Sequence, residues 1–304
     1  MICIDLDFKI DYTFKEETVL CLGMFDGLHL GHQELISRAK KEGKKVALLA
    51  FKNSPKQCIR QEEVRFLTPN KEKITFLESL GVDIFLLKTF NESFLNITKE
   101  KFVDSFLKRL KPFILGVGFD YRFGQNKEGT PEFLKDYFNV IEVPPFNLDQ
   151  RKVSSSRVFN ALQGNDIQDV TNCLGRYYFI EGKVEKGLGN GKKLHFPTAN
   201  ILPTDKYVLP GAGVYSGIIF VDNQMFKTMI NIGTHPTIDE VEHNVIEAHI
   251  LDFDADIYDK IVRLYFTSFI RKEKRFDNID ALCKKLTENK KEVYLLDIDE
   301  NLLK

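Results

Sequence analysis

The chain has 304 residues, 43% apolar and 29% charged, which predicts two globular domains and excludes wholesale disorder. Lys plus Arg number 43 against 44 Asp plus Glu, and both halves are nearly balanced, so the basic domain or stripe of a nucleic-acid binder is missing. No apolar run reaches the roughly 20 residues of a membrane span; the N-terminus does not read as a signal peptide; and five scattered cysteines without a Cys-x-x-Cys fit idle thiols in a reducing cytoplasm, not a disulfide framework or zinc knuckle.

The first half alternates strand and helix. Thr18–Met24 is a short apolar run that predicts a buried strand, and 31–42 has helical spacing, with Leu35, Ile36 and Ala39 on one side and Arg38, Lys41 and Glu42 on the other. Lys45–Phe51 reads as a strand, 70–80 as a helix stopped by Gly81, and 82–87 as a strand. Thr98 can cap a helix running to Leu110, which Pro112 ends, and 113–117 and 138–143 are strand-like. This order implies a mostly parallel sheet with helices on both faces and ligands beyond the carboxyl ends of its strands.

After about Gly175 the pattern changes. Runs at 177–185, 214–221, 226–232, 245–251 and 261–269 are β-rich, separated by Gly and Pro with no helical pattern between them, as in an antiparallel barrel or sandwich. One helix closes the chain over about 278–294. We set the domains at 1–170 and 171–304.

The strongest local signal is Gly23-Met-Phe-Asp-Gly-Leu-His-Leu-Gly-His32, leading from the first strand of that series into its helix. A helix N-terminus offers unpaired N–H groups and a partial positive charge to phosphate. His29 and His32 lie three apart at that start and can face one ligand, while Gly31 permits close approach. His-x-x-His alone is common and can simply cap a turn, and zinc would need a third ligand that no spacing provides; the strand–turn–helix context favours a nucleotide phosphate. Two further loops fall at the ligand end of the sheet: Gly118-Phe-Asp-Tyr-Arg-Phe-Gly124, and Val153-Ser-Ser-Ser-Arg157, whose serines can cap a helix and whose Arg157 would then face an anion. An ordinary N-cap with a solvated arginine is the plainer reading of the latter taken alone.

In the second half, the glycine-rich basic run 187–193 lacks the Lys-Ser/Thr of a Walker loop. Pro197 then fixes the chain before Thr198 and Asn200, which in an extended segment point the same way. Their hydroxyl and amide oxygens suit Mg²⁺ and phosphate. Glu247 alternates with Ile246 and Ala248; in a polar cleft it could take a proton from a substrate hydroxyl, and on a plain surface it would only pair with a lysine.

These segments occur together in one order. With Leu174-Gly-Arg176, Phe196-Pro-Thr-Ala-Asn200, Gly213-Val-Tyr215, Asn231-Ile-Gly-Thr-His-Pro-Thr237, the run 246–253 and the run 271–277, the chain resembles the bacterial bifunctional riboflavin kinase/FAD synthetases from end to end. The resemblance implies an α/β nucleotidylyltransferase-like N-terminal domain with a Rossmann-like parallel sheet, making FAD from FMN and ATP. It also implies a C-terminal antiparallel β-barrel with a terminal helix, making FMN from riboflavin and ATP. Carried over by position, His29, His32 and Arg157 meet the ATP phosphates, and Glu247 is the base for the ribityl hydroxyl. Thr198 and Asn200 hold Mg²⁺ with ATP. Gly23, Phe25, Asp26, Gly27, Gly31, Asp120, Arg122, Phe123, Ser154, Ser155, Gly191 and Pro197 are the remaining nucleotide- and flavin-binding candidates. The implied partners are riboflavin, FMN and ATP, without nucleic acid or membrane.

The chain departs from the family pattern at several places. Lys52-Asn-Ser-Pro55 stands where Asp/Glu-Pro-His/Gln-Pro is usual. Phe159 replaces a basic residue, His195 a glycine and His235 an arginine, and Asn289-Lys290 lies near a usual Asp. None removes a residue assigned to chemistry. The competing expectations are a single surviving activity, most plausibly the kinase, or a flavin- or nucleotide-binding regulator without turnover.

Overall fold

The computed structural model describes residues 1–9, 11–60, 64–187, 196–236, 242–274 and 276–303, in two compact units, Met1–Ser155 and Ser156–Lys304. In the first unit, β1 (Ile2–Asp5), β2 (Thr18–Leu22), β3 (Lys45–Phe51), β4 (Ile84–Lys88), β5 (Ile114–Gly118) and β6 (Val140–Val143) form one sheet. Its order is β1-β4-β3-β2-β5-β6, and every neighbouring pair is parallel. All five residues of β2 are buried, as a strand covered on both faces requires. Leu20 and Leu22 join one apolar layer, with Leu115 and Phe102, while Val19 and Cys21 join the other, with Leu48 and Leu77. The strand's period of two thus feeds both cores, each fully buried Leu or Phe contributing about 1.5–3 kcal/mol.

Helix α1 (Leu30–Lys41) follows β2 and buries Leu35, Ile36 and Ala39; its basic last turn, with Arg38, Lys40 and Lys41, complements the helix dipole. Helix α2 (Asn70–Ser79) follows β3 and buries Leu77 but also Glu72 and Lys73. The helix expected after Thr98 forms: the Thr98 side chain accepts from Lys101 N, and the chain stays helical through Lys99–Phe102, a wide π turn at Val103–Leu107 and Lys108–Leu110. β1 went unforeseen, because four residues at a sheet edge carry no usable period. β2 lies between β3 and β5, so the strand order reverses direction at its carboxyl end and opens a crevice there. A short hairpin, β7 (Asn147–Leu148) and β8 (Arg151–Lys152), lies further along this unit.

Helices α3 (Ser155–Gln163) and α4 (Ile167–Leu174) follow. Arg157 of α3 donates from Nε to Asp169 Oδ2 of α4 at 2.9 Å, with both side chains about nine-tenths buried. Then β9 (Tyr178–Glu185), β10 (Ala199–Pro203), β11 (Gly213–Val221), β12 (Gln224–Pro236), β13 (Glu242–Ile250) and β14 (Ile261–Arg271) close into an antiparallel barrel, β10-β13-β12-β11-β14-β9. Closure leaves no strand edge unpaired. Ile230 and Ile232 of β12 pair with Ala248 and Ile246 of β13 and are buried, so the residues between them face the other way. Helix α5 (Ile279–Leu295) is capped by the Asn278 side chain. It sets Val293 and Leu286 against Val214, Met229 and Leu251. Asn289 on α5 is fully buried, and its Oδ1 accepts from Arg271 Nε at 2.8 Å.

Candidate active sites

The turn joining β2 to α1 carries unusual backbone. Phe25, Gly27 and Leu28 all lie in the left-handed region, at φ 50°, 80° and 45°. Only glycine adopts this freely; bulky residues there cost about 1–3 kcal/mol each and persist only when their surroundings hold them. Here Phe25 and Leu28 are completely buried. Ser155 Oγ donates to the Asp26 carbonyl at 2.7 Å, and Asp26 Oδ1 accepts from Thr68 N at 3.1 Å. Burial pushes the Asp26 carboxyl up, opposed by the Lys73 ammonium and by the N–H groups of Thr68, Leu67 and Gly27.

The shape of the turn stacks His29 on His32, their ring centroids 3.7 Å apart and 16° from parallel. A Cβ on Gly31 would come within 3.2 Å of His29 Cε1, so glycine makes room for that ring at the helix start. His32 packs against Phe25 at 5.2 Å. Its Nδ1 is buried with no hydrogen-bond partner among the described residues. Burial holds its pKa well below the usual histidine value, with the His29 and Lys73 charges adding to the effect. A neutral imidazole in this place has an N–H to offer an anion.

Both histidines open onto a cavity of about 530 Å³ at the carboxyl end of the sheet. Gly23, Phe25, Gly31, Asp120, Arg122, Phe123, Ser154 and Ser155 also line it, whereas Asp26 and Gly27 shape the turn behind. Some of these polar groups are already committed: Lys152 pairs with Asp120, Arg122 donates to the Tyr121 carbonyl at 2.8 Å, and the Ser155 hydroxyl is spent on the turn. Arg157 belongs to the second unit and is bound to Asp169.

The cavity has an aromatic wall, of which only Phe123 was among the expected residues. Phe51, Phe90, Phe94, Phe102 and Phe123 all line the cavity. Phe51 meets Phe90 edge-on at 5.1 Å and Phe94 at 5.7 Å. The divergent Lys52-Asn53 pair supports this wall. Asn53 Nδ2 donates to the Phe90 carbonyl and Phe90 N donates back to Asn53 Oδ1, both at 2.8 Å. Lys52 Nζ bonds Asp5 at 2.6 Å and Asp7 at 2.8 Å. Burial alone would raise Asp7, but hydrogen bonds from Lys52, Lys88 and Thr89 outweigh it and hold the carboxyl well below its usual range.

In the barrel, register assembles the second site. Asn200 of β10 pairs with Glu247 of β13, which pairs on its other side with Asn231 of β12. Residues directly opposite in antiparallel strands share a face about 4.5–5.5 Å apart. A carboxylate therefore stands between two amides, on the face opposite buried Ile246 and Ala248. Asn231 had been noticed only as part of its motif. Gly187 matters locally, because a Cβ there would collide with the Asn200 amide. His249 lies two residues beyond Glu247, and its Nδ1–H donates to the Pro197 carbonyl at 2.8 Å, fixing the segment that carries Thr198. Burial holds His249 below the usual histidine pKa, against the opposing hydrogen bond to Pro197. Gly191 and His195 lie outside the described residues, as does the rest of 188–195.

Comparison with known proteins matches this division. The FAD synthetase family model fits residues 11–157, and the riboflavin kinase model fits 174–300. A solved Streptococcus pneumoniae structure described as a macrolide-efflux protein superposes with a TM-score of 0.91 at 30% identity, covering 98% of this chain and 100% of that one. No helix among the described residues of this chain is long and apolar enough to cross a membrane. The chain is 31% identical over 280 residues to the bifunctional riboflavin kinase/FMN adenylyltransferase of Escherichia coli (strain K12), covering 88% of this chain and 89% of that protein. It is 32% identical over 296 residues to the protein of the same name from Bacillus subtilis (strain 168), covering 92% and 94%. With both family models matched in order, and this likeness running nearly from end to end, the chain belongs to the bifunctional riboflavin kinase/FMN adenylyltransferase family.

Proposed function

We propose that residues 171–304 phosphorylate riboflavin to FMN with ATP, and that residues 1–170 transfer the adenylyl group of a second ATP to FMN, releasing pyrophosphate and FAD. One observation carries this reading: each unit has its own constellation, stacked imidazoles at a helix start in one and a carboxylate between amides in the other. Both reactions are in-line attacks on phosphorus, in which positioning and charge neutralisation supply most of the catalysis.

In the kinase step Glu247 accepts the proton of the terminal ribityl hydroxyl as its oxygen attacks the γ-phosphorus and ADP leaves. Asn200 and Asn231 flank the carboxylate and orient it. Pro197 fixes the chain before Thr198 and Asn200, and its own carbonyl accepts from His249. In the adenylyl step an FMN phosphate oxygen attacks the α-phosphorus. No proton need be removed from that nucleophile, so the work falls to groups that bind developing negative charge: His29, His32 and the N–H groups opening α1. Gly31 admits the phosphates. Arg157 is bound to Asp169 within its own unit. The aromatic wall suits a flat ring.

The residues present suit Mg²⁺ that arrives with ATP. Thr198 and Asn200 offer neutral hard oxygens, and no cluster of three His, Cys, Asp or Glu side chains able to hold a metal occurs among the described residues. Bound there, Mg²⁺ would neutralise phosphate charge. Pure protein incubated with riboflavin, ATP and Mg²⁺, with a parallel tube started from FMN, tests the whole reading once flavins are resolved by chromatography. FMN followed by FAD is expected, with both lost on adding a chelator. Two inert tubes would move the chain to the regulator reading.

The Asn53 clamp makes a narrower prediction. Asn53→Ala removes two hydrogen bonds to the Phe90 backbone, each worth about 0.5–1.5 kcal/mol. The KM for FMN in FAD formation should rise about three- to tenfold with kcat within about twofold, because ground state and transition state use the same wall. Steady-state kinetics on FMN reads the split, and an unchanged KM would remove Asn53 from the flavin wall.

A further inference from the structure

A fully buried lysine lies under the histidine turn, and the mechanism above does not use it. Lys73 on α2 has no exposed surface. Taking an ammonium out of water costs several kcal/mol unless it is paired and hydrogen-bonded, so its presence in a core needs a reason. Its Nζ donates to the Met24 carbonyl at 3.2 Å and to Asn70 Oδ1 at 3.3 Å, and sits 5.4 Å from the Phe66 ring centroid. Two oxygen acceptors and an aromatic face are what a cation selects. Met24 opens the left-handed turn, and Phe25, the next residue, touches the His32 ring. The Asp26 carboxyl lies within electrostatic reach of the same ammonium, as does His32.

We propose that Lys73 is a positioning residue for adenylyl transfer: its ammonium fastens the Met24–Gly27 turn from beneath and gives the His29–His32 pair a fixed positive charge behind it. The inference rests on the proposed adenylyl-transfer reading of this site. A strained turn persists only where neighbours over-determine it, and here α2 supplies one such neighbour while Ser155 supplies another. A charge buried behind the site is screened little by solvent and is already oriented when the phosphates arrive. Phosphates and lysine need never touch.

Two variants test the role, one of them keeping the hydrogen bond to Met24. Lys73→Met removes both hydrogen bonds and charge. Lys73→Gln keeps a donor for the Met24 carbonyl and loses only the charge. Conversion of FMN to FAD should fall by about tenfold to a hundredfold in kcat for both, less than the roughly 10²–10³-fold for a donor that faces the developing charge directly. Conversion of riboflavin to FMN should be unchanged. By NMR of ¹⁵N-labelled histidine, the His32 imidazole should titrate at higher pH in both variants, since a repelling cation has gone. A merely structural lysine would leave that titration in place.

Folded variants with kcat within about twofold of the parent, or with His32 unmoved, would overturn the proposal. If Lys73→Met does not fold, Lys73→Gln, which keeps a donor for the Met24 carbonyl, carries the test alone: a folded Lys73→Gln that is slow supports the positioning role, and one with parental kcat would overturn it. A parent protein making no FAD from FMN would instead sink the adenylyl-transfer reading, a result separable from active variants in an active background.

Discussion

Glu247→Gln should abolish FMN formation from riboflavin while supplied FMN is still converted to FAD. The substitution keeps the side chain's size and its place between Asn200 and Asn231, so barrel packing is untouched. It removes the one atom set able to accept the ribityl proton. General-base catalysis contributes about 10²–10⁴-fold, and kcat for the kinase step should fall by that amount. The KM for riboflavin should hardly move, because Glu247 acts chiefly in the transition state. Chromatography of the two reaction tubes distinguishes this from misfolding, which would silence both. A folded variant that loses both activities would end the assignment of separate sites.

The converse result is expected for His29→Ala. FAD formation from FMN should drop by about 10²–10³-fold, the usual cost of losing one preorganised donor facing developing charge. FMN formation should continue. His29 opens α1, yet its side chain makes no capping hydrogen bond there. Its removal should therefore cost the helix little, and the loss will be chemical. Raised ATP concentration should not rescue it if the interaction belongs to the transition state; rescue by ATP would mean that His29 only binds ground-state phosphates.

Residues whose placement is written in local pattern were legible from the sequence. His29 and His32 stand out because a strand, a turn and a helix follow one another in ten residues, and Glu247 because apolar neighbours alternate around it. The β2, α1, β3 and α2 segments were likewise periodic enough to place. Lys73 was not legible. In Asn-Lys-Glu-Lys-Ile-Thr it is one lysine in a polar first turn, and only the packing of α2 under the β2–α1 turn buries it. Asn53 looked like a gap in a motif until Phe90, 37 residues away, came back to it. The pairing of Asn200 and Asn231 with Glu247 is a matter of barrel register, which no single strand encodes. Five-residue β10 was hidden by Pro197 just before it and Pro203 at its end.

β1 has a consequence beyond the fold. It is four residues long, lies outermost in the parallel sheet and has β4 as its strand neighbour. Its last residue, Asp5, is tied with Asp7 to Lys52 and, through Asp7, to Lys88. Short, charged borders of this kind make poor templates for another chain. A chain trimmed at its first seven residues would uncover Ile84–Lys88, an apolar strand with Phe85 and Leu86 at its centre, as the new border. It would also release the two lysines that those aspartates restrain. The barrel, being closed, has no comparable weakness. For expression and crystallography the first few residues are a lid on an adhesive seam, and tags belong before them, not in their place.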